Sequence, residues 1–298
     1  MNMSTDSQNP ATRAWTIGSL LDWTASFLAQ RGAESPRLDA EVLLAYVLRC
    51  RRIDLYTRFT EPAQQATCEQ YRGLIQRRME GCPVAYLVGK KEFYGLELEV
   101  NASVLIPRPD SEFVVMECLR LAKDIAEPHI LDLGTGSGNL AIAIAKNHRG
   151  ARITAVDISP QAIEVARRNA ERHRVSERLA FLTGDLFEPL DRGRRFDFIV
   201  SNPPYIPRGE IKNLEPGVRD FEPHAALDGG PTGFEVLTRI AAHARSFLVE
   251  GGYVIVEIGA PQEKGARACF AQHPEYRLAE TIYDYSRHPR VLCARFIK

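Results

Sequence analysis

A short motif with the residue types for holding an amino group, Asn202-Pro203-Pro204-Tyr205, follows an apolar run, Phe196–Ser201, that is typical of a buried strand. The Asn202 amide oxygen and the Pro203 carbonyl are two nearby acceptors that can hold the two hydrogens of a planar NH2 group. The nitrogen lone pair, otherwise delocalised, is then turned toward an electrophile. Proline stiffens the turn and aims its carbonyl, and Tyr205 offers a flat face to a planar group. Asn-Pro-Pro also ends strands for structural reasons alone, so context must decide.

A glycine-rich turn supplies part of that context. Gly134-Thr135-Gly136-Ser137-Gly138 lies between a predicted strand and a predicted helix, and its glycines permit close approach of a ligand to the backbone. Asp157 ends the next predicted strand, 19 residues after Gly138, where a carboxylate can accept hydrogen bonds from both hydroxyls of a ribose. Asp185 follows the third strand, where it is placed to meet an adenine amino group or to serve as a turn aspartate.

These features follow three consecutive strands, whose carboxyl ends should meet at one crevice of an open α/β sheet. The glycine-rich turn, Asp157 and Asp185 could all contact an adenosine group. The spacing G-x-G-x-G differs from the dinucleotide pattern G-x-G-x-x-G, and no basic residue is placed for a pyrophosphate, so the pattern favours S-adenosylmethionine over NAD. The predicted cofactor-binding residues are Gly134, Thr135, Gly136, Ser137, Gly138, Asp157, Asp185, Leu186 and Asn202.

The elements that must position these residues alternate between strand and helix. The apolar runs predict strands, and the amphipathic stretches predict helices at about 139–147, 160–173, 233–248 and 261–272. The last two strands are too close in sequence to be parallel. We predict an α/β fold: a doubly wound, mostly parallel seven-stranded sheet of the S-adenosylmethionine-dependent methyltransferase type. The predicted strands are His129–Leu133, Arg152–Asp157, Leu179–Thr183, Phe196–Ser201, Tyr253–Ile258 and, near the end, Arg277–Tyr283 and Arg290–Phe296.

The N-terminal part has a different pattern. Between about Thr16 and Gly81, apolar residues recur at helical spacing, whereas Leu96, Leu98 and Val100 alternate with polar residues as in a strand. We therefore divide the chain into an N-terminal helical bundle for partner binding at 1–83, a β-hairpin linker at 84–107 and a catalytic domain at 108–298.

Composition excludes several classes of protein. The 298 residues carry 38 Lys plus Arg and 38 Asp plus Glu, without the basic surplus that nucleic-acid partners favour. The six cysteines are scattered, with no zinc spacing, which indicates reduced thiols in a cytoplasmic protein without a metal. The N-terminus lacks the apolar core of a signal peptide, and no run is long enough to span a membrane.

The motifs together resemble a known family. The tetrad at 202–205 and the glycine loop from Asp132 look like the amino-methylating S-adenosylmethionine-dependent methyltransferases, and three further strings resemble the peptide-chain release factor glutamine methyltransferases, the HemK family. The similarity extends from about residue 16 to the end of the chain. The strings are Glu92-Phe93-Tyr94-Gly95, Leu105-Ile106-Pro107-Arg108-Pro109-Asp110-Ser111-Glu112 and Val218-Arg219-Asp220-Phe221-Glu222-Pro223.

The resemblance implies N5-methylation of the glutamine in the Gly-Gly-Gln loop of class I release factors, with the helical domain helping to hold that partner. The chain departs from the family at Ser111, where threonine is usual, and at the apolar Leu186, where an aromatic residue often touches adenine. Neither departure touches the reacting group.

The long loop from Pro203 to Thr232 is expected to close over the target glutamine, with Arg219 anchoring it. Arg108 and Arg219 are predicted to contact substrate, although each could equally be an ordinary surface or fold-stabilising ion pair. The predicted catalytic residues are Asn202, Pro203 and Tyr205, and the predicted substrate-binding residues are Asn202, Pro203, Pro204, Tyr205, Arg108 and Arg219.

Other functions stay open at this point. A glutamine methyltransferase acting on a ribosomal protein shares the tetrad but differs in the string around Arg108. An N6-adenine DNA methyltransferase also shares it, but has to extrude its base and needs a basic DNA-facing surface. A catalytically silent module that binds the ribosome or a release factor would have no use for an intact tetrad, and an NAD-linked oxidoreductase would need a different glycine spacing.

Overall fold

The computed structural model describes residues 15–297, which form two compact units that divide between Val88 and Gly89. The first unit is helical, as predicted. Thr16 caps its first helix through a reciprocal pair of bonds with Ser19: the Thr16 hydroxyl accepts from the Ser19 N–H at 3.1 Å, and the Ser19 hydroxyl accepts from the Thr16 N–H at 2.8 Å. The helices are α1 (Ile17–Ala29), α2 (Pro36–Leu48), α3 (Asp54–Thr57), α4 (Gln65–Met79) and α5 (Val84–Val88).

The predicted hairpin linker at 84–107 is wrong at its start, because residues 84–88 form α5. This helix begins after Pro83 and buries Leu87 and Val88 in the first unit. A short apolar run such as Val84–Val88 cannot be assigned to helix or strand by periodicity alone, and here the helical spacing prevails.

The linker assignment is also wrong for the hairpin itself, which belongs to the second unit. Strands β1 (Lys90–Phe93) and β2 (Leu96–Glu99) pair antiparallel, and both residues of the Tyr94-Gly95 turn have positive φ. Phe93 and Leu98 are buried in one core with α6 (Glu112–Ala122), so the hairpin packs as part of this unit instead of bridging two domains.

The central sheet has the predicted doubly wound, mostly parallel topology. In spatial order its strands run β5, β4, β3, β6, β7, β10, β8, and all pairs from β5 to β7 are parallel. Strand β10 is antiparallel to both β7 and β8, and the predicted strand at Arg277–Tyr283 is split, so that a short β9 also pairs with β10. The bounds are β3 (His129–Leu133), β4 (Arg152–Asp157), β5 (Leu179–Thr183), β6 (Phe196–Ser201), β7 (Leu248–Glu257), β8 (Tyr276–Leu278), β9 (Ile282–Tyr283) and β10 (Pro289–Phe296).

Helices cover both faces of this sheet and give it two cores. On one face α6 packs with α7 (Asn139–Asn147) and α8 (Pro160–Arg172), and on the other α10 (Glu235–Ala244) packs with α11 (Glu263–Ala271). The strands β3 to β6 are therefore apolar on both faces, which is why their bounds were predictable from continuous apolar runs.

The loop from Pro203 to Thr232 is long but not structureless. It contains two 3-10 turns, Arg208–Asn213 and His224–Ala226, and the short helix α9 (Pro216–Arg219). Its two ends are joined by a parallel bridge between Ile206 and Asp228. Within residues 15–297, no helix combines the length and the hydropathy needed to cross a membrane.

Asn169 of α8 ties the hairpin to the glycine loop, and its removal should destabilise the second unit. Its fully buried amide donates to the carbonyls of Glu99 (3.0 Å) and Ser137 (2.9 Å) and accepts from the Glu99 N–H (2.7 Å). We expect Asn169→Ala to lower the free energy of unfolding by about 2–4 kcal/mol, because three backbone groups lose their partner.

Urea unfolding followed by circular dichroism measures this change. Asn147→Ala is the matched control, since the exposed Asn147 amide makes one bond, to the Ala143 carbonyl, and its loss should cost less than about 0.5 kcal/mol. Equal small effects of the two substitutions would show that Asn169 does not hold the hairpin.

Candidate functional site

A cleft of about 420 Å³ opens in the second unit at the carboxyl ends of β3, β4, β5 and β6, the position where open α/β sheets bind ligands. Most of the residues predicted from the sequence line it. Those in the lining are Arg108, Gly134, Thr135, Gly136, Ser137, Asp157, Asp185, Leu186, Asn202 and Pro204; Gly138, Pro203, Tyr205 and Arg219 are not part of it.

The glycine loop brings its backbone to the edge of the cleft. Gly136 has a φ of +53°, which a side chain would strain, and its N–H donates to an Asp157 carboxylate oxygen at 2.8 Å. Gly138 lies outside the cleft lining: a Cβ there would lie 2.9 Å from Ile142 and 3.2 Å from Ala166, so this glycine allows α7 to pack closely against α8.

Asp157 is held by the backbone of two loops. Besides the Gly136 bond, its other oxygen accepts from the Ser159 N–H at 2.9 Å. Burial raises the pKa of the Asp157 carboxyl, and these backbone bonds lower it in part. Each oxygen keeps lone-pair capacity, which is what two ribose hydroxyls would need.

Ser137 supplies an independent sign that a ligand belongs here. Its hydroxyl is buried, lies in a residue that lines the cleft, and has no hydrogen-bond partner within residues 15–297. Buried hydroxyls are normally satisfied, so a polar ligand group in the cleft would supply the missing bond.

Asp185 and Leu186, which follow β5, also line the cleft. An Asp185 oxygen accepts from the Arg239 guanidinium at 2.8 Å, so part of its capacity for an adenine amino group is already engaged. Leu186 lines the cleft with a left-handed backbone (φ +50°), while the next residue, Phe187, stacks on Phe247 in the core. The apolar contact available to a base in this loop therefore comes from the leucine.

The Asn202 amide lies at the end of β6, next to the glycine loop. Ser201 donates its hydroxyl proton to the Leu133 carbonyl at 2.7 Å and so joins the ends of β6 and β3. The Asn202 Nδ2 donates to the Ser111 hydroxyl at 2.9 Å. Within residues 15–297 no donor hydrogen-bonds to Asn202 Oδ1 or to the Pro203 carbonyl, and these are the two acceptors that the motif predicts.

Tyr205, whose ring is predicted to stack on a planar substrate group, lies outside the cleft lining. Its hydroxyl donates to Glu257 Oε1 at 3.4 Å, and its carbonyl accepts from Gln262 Nε2 at 2.7 Å. Burial raises the pKa of the Tyr205 phenol, so the hydroxyl keeps its proton. Both of these partners, Glu257 and Gln262, also lie outside the cleft lining.

Glu257, at the end of β7, was not predicted from the sequence. It is buried and accepts from the Ser111 hydroxyl at 2.5 Å, so it connects Ser111, Asn202 and Tyr205 in one network. Burial raises the pKa of the Glu257 carboxyl to about 7. The available signal was an acidic residue in the apolar stretch Tyr253–Ile258, a predicted parallel strand whose end must face the ligand edge of the sheet.

The two predicted substrate arginines have separate surroundings. Arg108 lines the cleft and pairs with buried Glu222 at 2.5 Å, and Glu222 also accepts from the Ile106 N–H at 3.2 Å. Arg219, the predicted anchor of the long loop, pairs with its exposed neighbour Asp220 at 2.7 Å and donates to the Lys212 carbonyl of the same loop at 3.4 Å. Arg108 and Glu222 thus make a buried contact between this loop and the string around Arg108.

Models of known protein families match residues in both units. The model of the PrmC N-terminal domain matches residues 19–89, and that of the Methyltransferase small domain matches residues 111–214. A release factor glutamine methyltransferase of Rhodopirellula baltica is 42% identical over 283 residues, covering 93% of this chain and 95% of the relative. One of Geobacter sulfurreducens is 44% identical over 87% of this chain and 89% of its own length.

Among solved structures, a methyltransferase from Pyrococcus furiosus is similar with a TM-score of 0.50 at 18% identity, over 76% of this chain and 98% of the other. At that identity the similarity concerns the fold alone, which is the predicted methyltransferase type of doubly wound sheet.

Substitution of Arg108 and of Arg219 should change the free energy of unfolding to different extents. We expect Arg108→Ala to lower the free energy of unfolding by about 2 kcal/mol, because it leaves the buried Glu222 carboxylate without its cation. Arg219→Ala, which removes an exposed ion pair and a long 3.4 Å bond to the Lys212 carbonyl, should have no measurable effect. Urea unfolding of both variants tests this, and Arg108→Ala combined with Glu222→Gln should recover part of the loss; a larger effect at Arg219 would contradict the assignment.

Proposed function

The chain belongs to the family of release factor glutamine methyltransferases, and we propose that it transfers a methyl group from S-adenosylmethionine to N5 of the glutamine in the Gly-Gly-Gln motif of class I peptide-chain release factors. The observation that carries the proposal is a pair of neighbouring acceptors after β6: the Oδ1 of Asn202, a residue that lines the cleft, and the adjoining Pro203 carbonyl. No donor within residues 15–297 bonds to either of them. The product from the cofactor is S-adenosylhomocysteine.

The cofactor fits the residues of the cleft. The glycine loop brings its backbone close, Ser137 offers an unpartnered hydroxyl, Asp157 suits two ribose hydroxyls, and Asp185 and Leu186 suit an adenine. When bound, S-adenosylmethionine supplies an electrophilic methyl group on a sulfonium.

The chain's own residues act on the target amide. An amide nitrogen is a poor nucleophile because its lone pair is delocalised into the carbonyl. Asn202 Oδ1 and the Pro203 carbonyl each accept one of the two amide hydrogens, which holds the nitrogen in place and directs its lone pair. As the new bond forms, positive charge develops on the nitrogen, and both acceptors stabilise it; the proton is lost afterwards. Proline at 203 and 204 keeps this turn from reorganising.

The partner assignment follows the relatives. The residues that match the PrmC N-terminal domain, 19–89, are proposed to help hold the release factor, and the long loop with Arg108 is proposed to close over the glutamine. Arg219 stays a proposed substrate contact, although it does not line the cleft. Because release factors act with the ribosome, the proposed location is the cytoplasm, with no membrane or nucleic-acid partner.

Removing the Asn202 acceptor should abolish transfer and leave cofactor binding nearly intact. We expect Asn202→Ala to lower kcat about a hundredfold or more, as loss of a transition-state hydrogen bond does. Transfer of labelled methyl to a release factor, with calorimetric titration of S-adenosylmethionine alongside, measures both quantities. Asn213→Ala, an exposed asparagine in the same loop, serves as the control, and full activity of Asn202→Ala would overturn the assigned role.

The same assay identifies the substrate. Labelled cofactor is supplied with a release factor, a release factor whose motif glutamine is replaced by alanine, ribosomal proteins and duplex DNA together. Label should appear only on the intact release factor. Label on a ribosomal protein or on DNA would replace the proposed function with one of the alternative methyltransferases.

Asp157 should contribute to cofactor affinity. We expect Asp157→Ala to weaken binding of S-adenosylmethionine by about 1–3 kcal/mol, through lost charge-assisted hydrogen bonds and a looser glycine loop. Asp191→Ala, which removes an exposed carboxylate from the same unit, is the control. Unchanged calorimetric affinity in Asp157→Ala would refute the ribose assignment.

A further inference from the structure

We propose that Ser111 and Glu257 are positioning residues that fix the orientation of the Asn202 amide, so that Oδ1 faces the target and Nδ2 faces the protein. The proposal rests on the proposed function, because it concerns the same amide. An asparagine side chain presents either an acceptor or a donor depending on which way it is turned, and only the acceptor can hold an amide N–H.

The direction of the hydrogen bonds sets the orientation. A carboxylate only accepts hydrogen bonds, so the single Ser111 hydroxyl proton points to Glu257 Oε2 over 2.5 Å. The Ser111 oxygen is then left as an acceptor for Asn202, at 2.9 Å, and only the Nδ2 end of that amide can donate to it. Asn202 Oδ1 is therefore turned away from Ser111 and toward the cleft.

Burial makes this chain of bonds specific. Ser111 and Glu257 are 1% and 2% exposed, so water does not compete for their bonds. Within residues 15–297 no basic side chain forms an ion pair with Glu257, and a buried carboxylate without one is costly to the fold. An apolar residue at 257 would avoid that cost, but it would leave the Ser111 proton free to turn to Asn202 Oδ1.

Protonation of Glu257 should release the constraint. A neutral carboxyl can donate to the Ser111 oxygen, whose own proton is then free to bond Asn202 Oδ1 and turn the amide over. The ionised form is disfavoured by burial and by the charge of Asp110. It is favoured by the hydrogen bond from the Ser111 hydroxyl, by the charge of Arg290 and by the Tyr205 hydroxyl. Arg290 is itself paired with Asp110 at 3.1 Å and with Asp284 at 2.9 Å.

Because the pKa of Glu257 is raised to about 7, its carboxylate form dominates above that pH and its acid form below it. The correct Asn202 orientation is thus lost as pH falls through about 7, and kcat at saturating substrates should fall in the same direction. The burial-raised carboxyl of Asp132 titrates near the same pH, so a variant is needed to attribute the change.

Four variants test the proposal by their kcat across neutral pH. Ser111→Ala should lower kcat about five- to tenfold, the value of one lost orienting hydrogen bond, and should remove the pH dependence. Ser111→Thr keeps the hydroxyl and should keep both. Glu257→Gln can donate or accept, so kcat should fall at most about tenfold and become independent of pH. Glu250→Gln, an exposed carboxylate on the same strand, should follow the wild-type profile.

A measurement without turnover separates this inference from the proposed function. The Asn202 side-chain amide signals in a proton–nitrogen correlation spectrum, assigned by their loss in Asn202→Ala, should shift with pH around 7 in the wild type and not in Glu257→Gln or Ser111→Ala. Thermal unfolding and cofactor binding establish that each variant is folded.

If the wild type methylated only DNA, the proposed function would be wrong. The pH dependence of the Asn202 amide signals would still test the proposed orientation of this amide. The inference is overturned if Ser111→Ala keeps wild-type kcat, or if Glu257→Gln keeps either the wild-type pH profile or the wild-type shift of the Asn202 signals.

Discussion

Parallel pairing of β3 with β4 on one side and β6 on the other is the constraint on which the site depends. The chain moves outward from β3 through β4 to β5 and then returns to β6 on the opposite side, so the loops after these strands diverge and leave a crevice. All parallel strands end at the same edge. This brings together residues that are far apart in the sequence, such as Asp157, Asn202 and Glu257.

The same geometry concentrates buried carboxylates at that edge. Burial raises the pKa of Asp157, and it raises those of Asp132 and Glu257 to about 7. Since the folded-state pKa values of Asp132 and Glu257 lie above those of the unfolded chain, these two groups favour folding most at low pH, and this contribution is lost as pH rises through about 7. Burying these carboxylates costs stability, but each one accepts a hydrogen bond that directs a loop N–H, as Asp157 does, or a hydroxyl proton, as Glu257 does.

The sequence was informative where structure follows from local pattern. Strands β3 to β6 were predicted with their bounds because each is a continuous apolar run, and Asn202 was found because its motif is contiguous. The linker assignment was wrong, because the burial of Phe93 and Leu98 against α6 is a tertiary property. Glu257 was missed for a similar reason: its contact with Ser111 spans 146 residues, and its effect on Asn202 depends on strand order.

The sequence did not distinguish Arg108 from Arg219, because the partner of each arginine depends on the fold. Both stand in strings that resemble the family, and only the fold places Arg108 beside buried Glu222 and Arg219 beside exposed Asp220.

The proposed acceptors, Asn202 Oδ1 and the Pro203 carbonyl, would recognise a planar NH2 group, a feature that glutamine shares with adenine. Discrimination between such targets therefore has to come from groups that fit one target and reject the other, outside this pair. In the second unit the segments available are the string around Arg108 and the long loop, which Glu222 joins at the rim of the cleft. A variant that loosens this contact would consequently affect the choice of substrate more than the chemistry of transfer, whereas a change in the Ser111–Glu257 pair would affect the chemistry on any amino target.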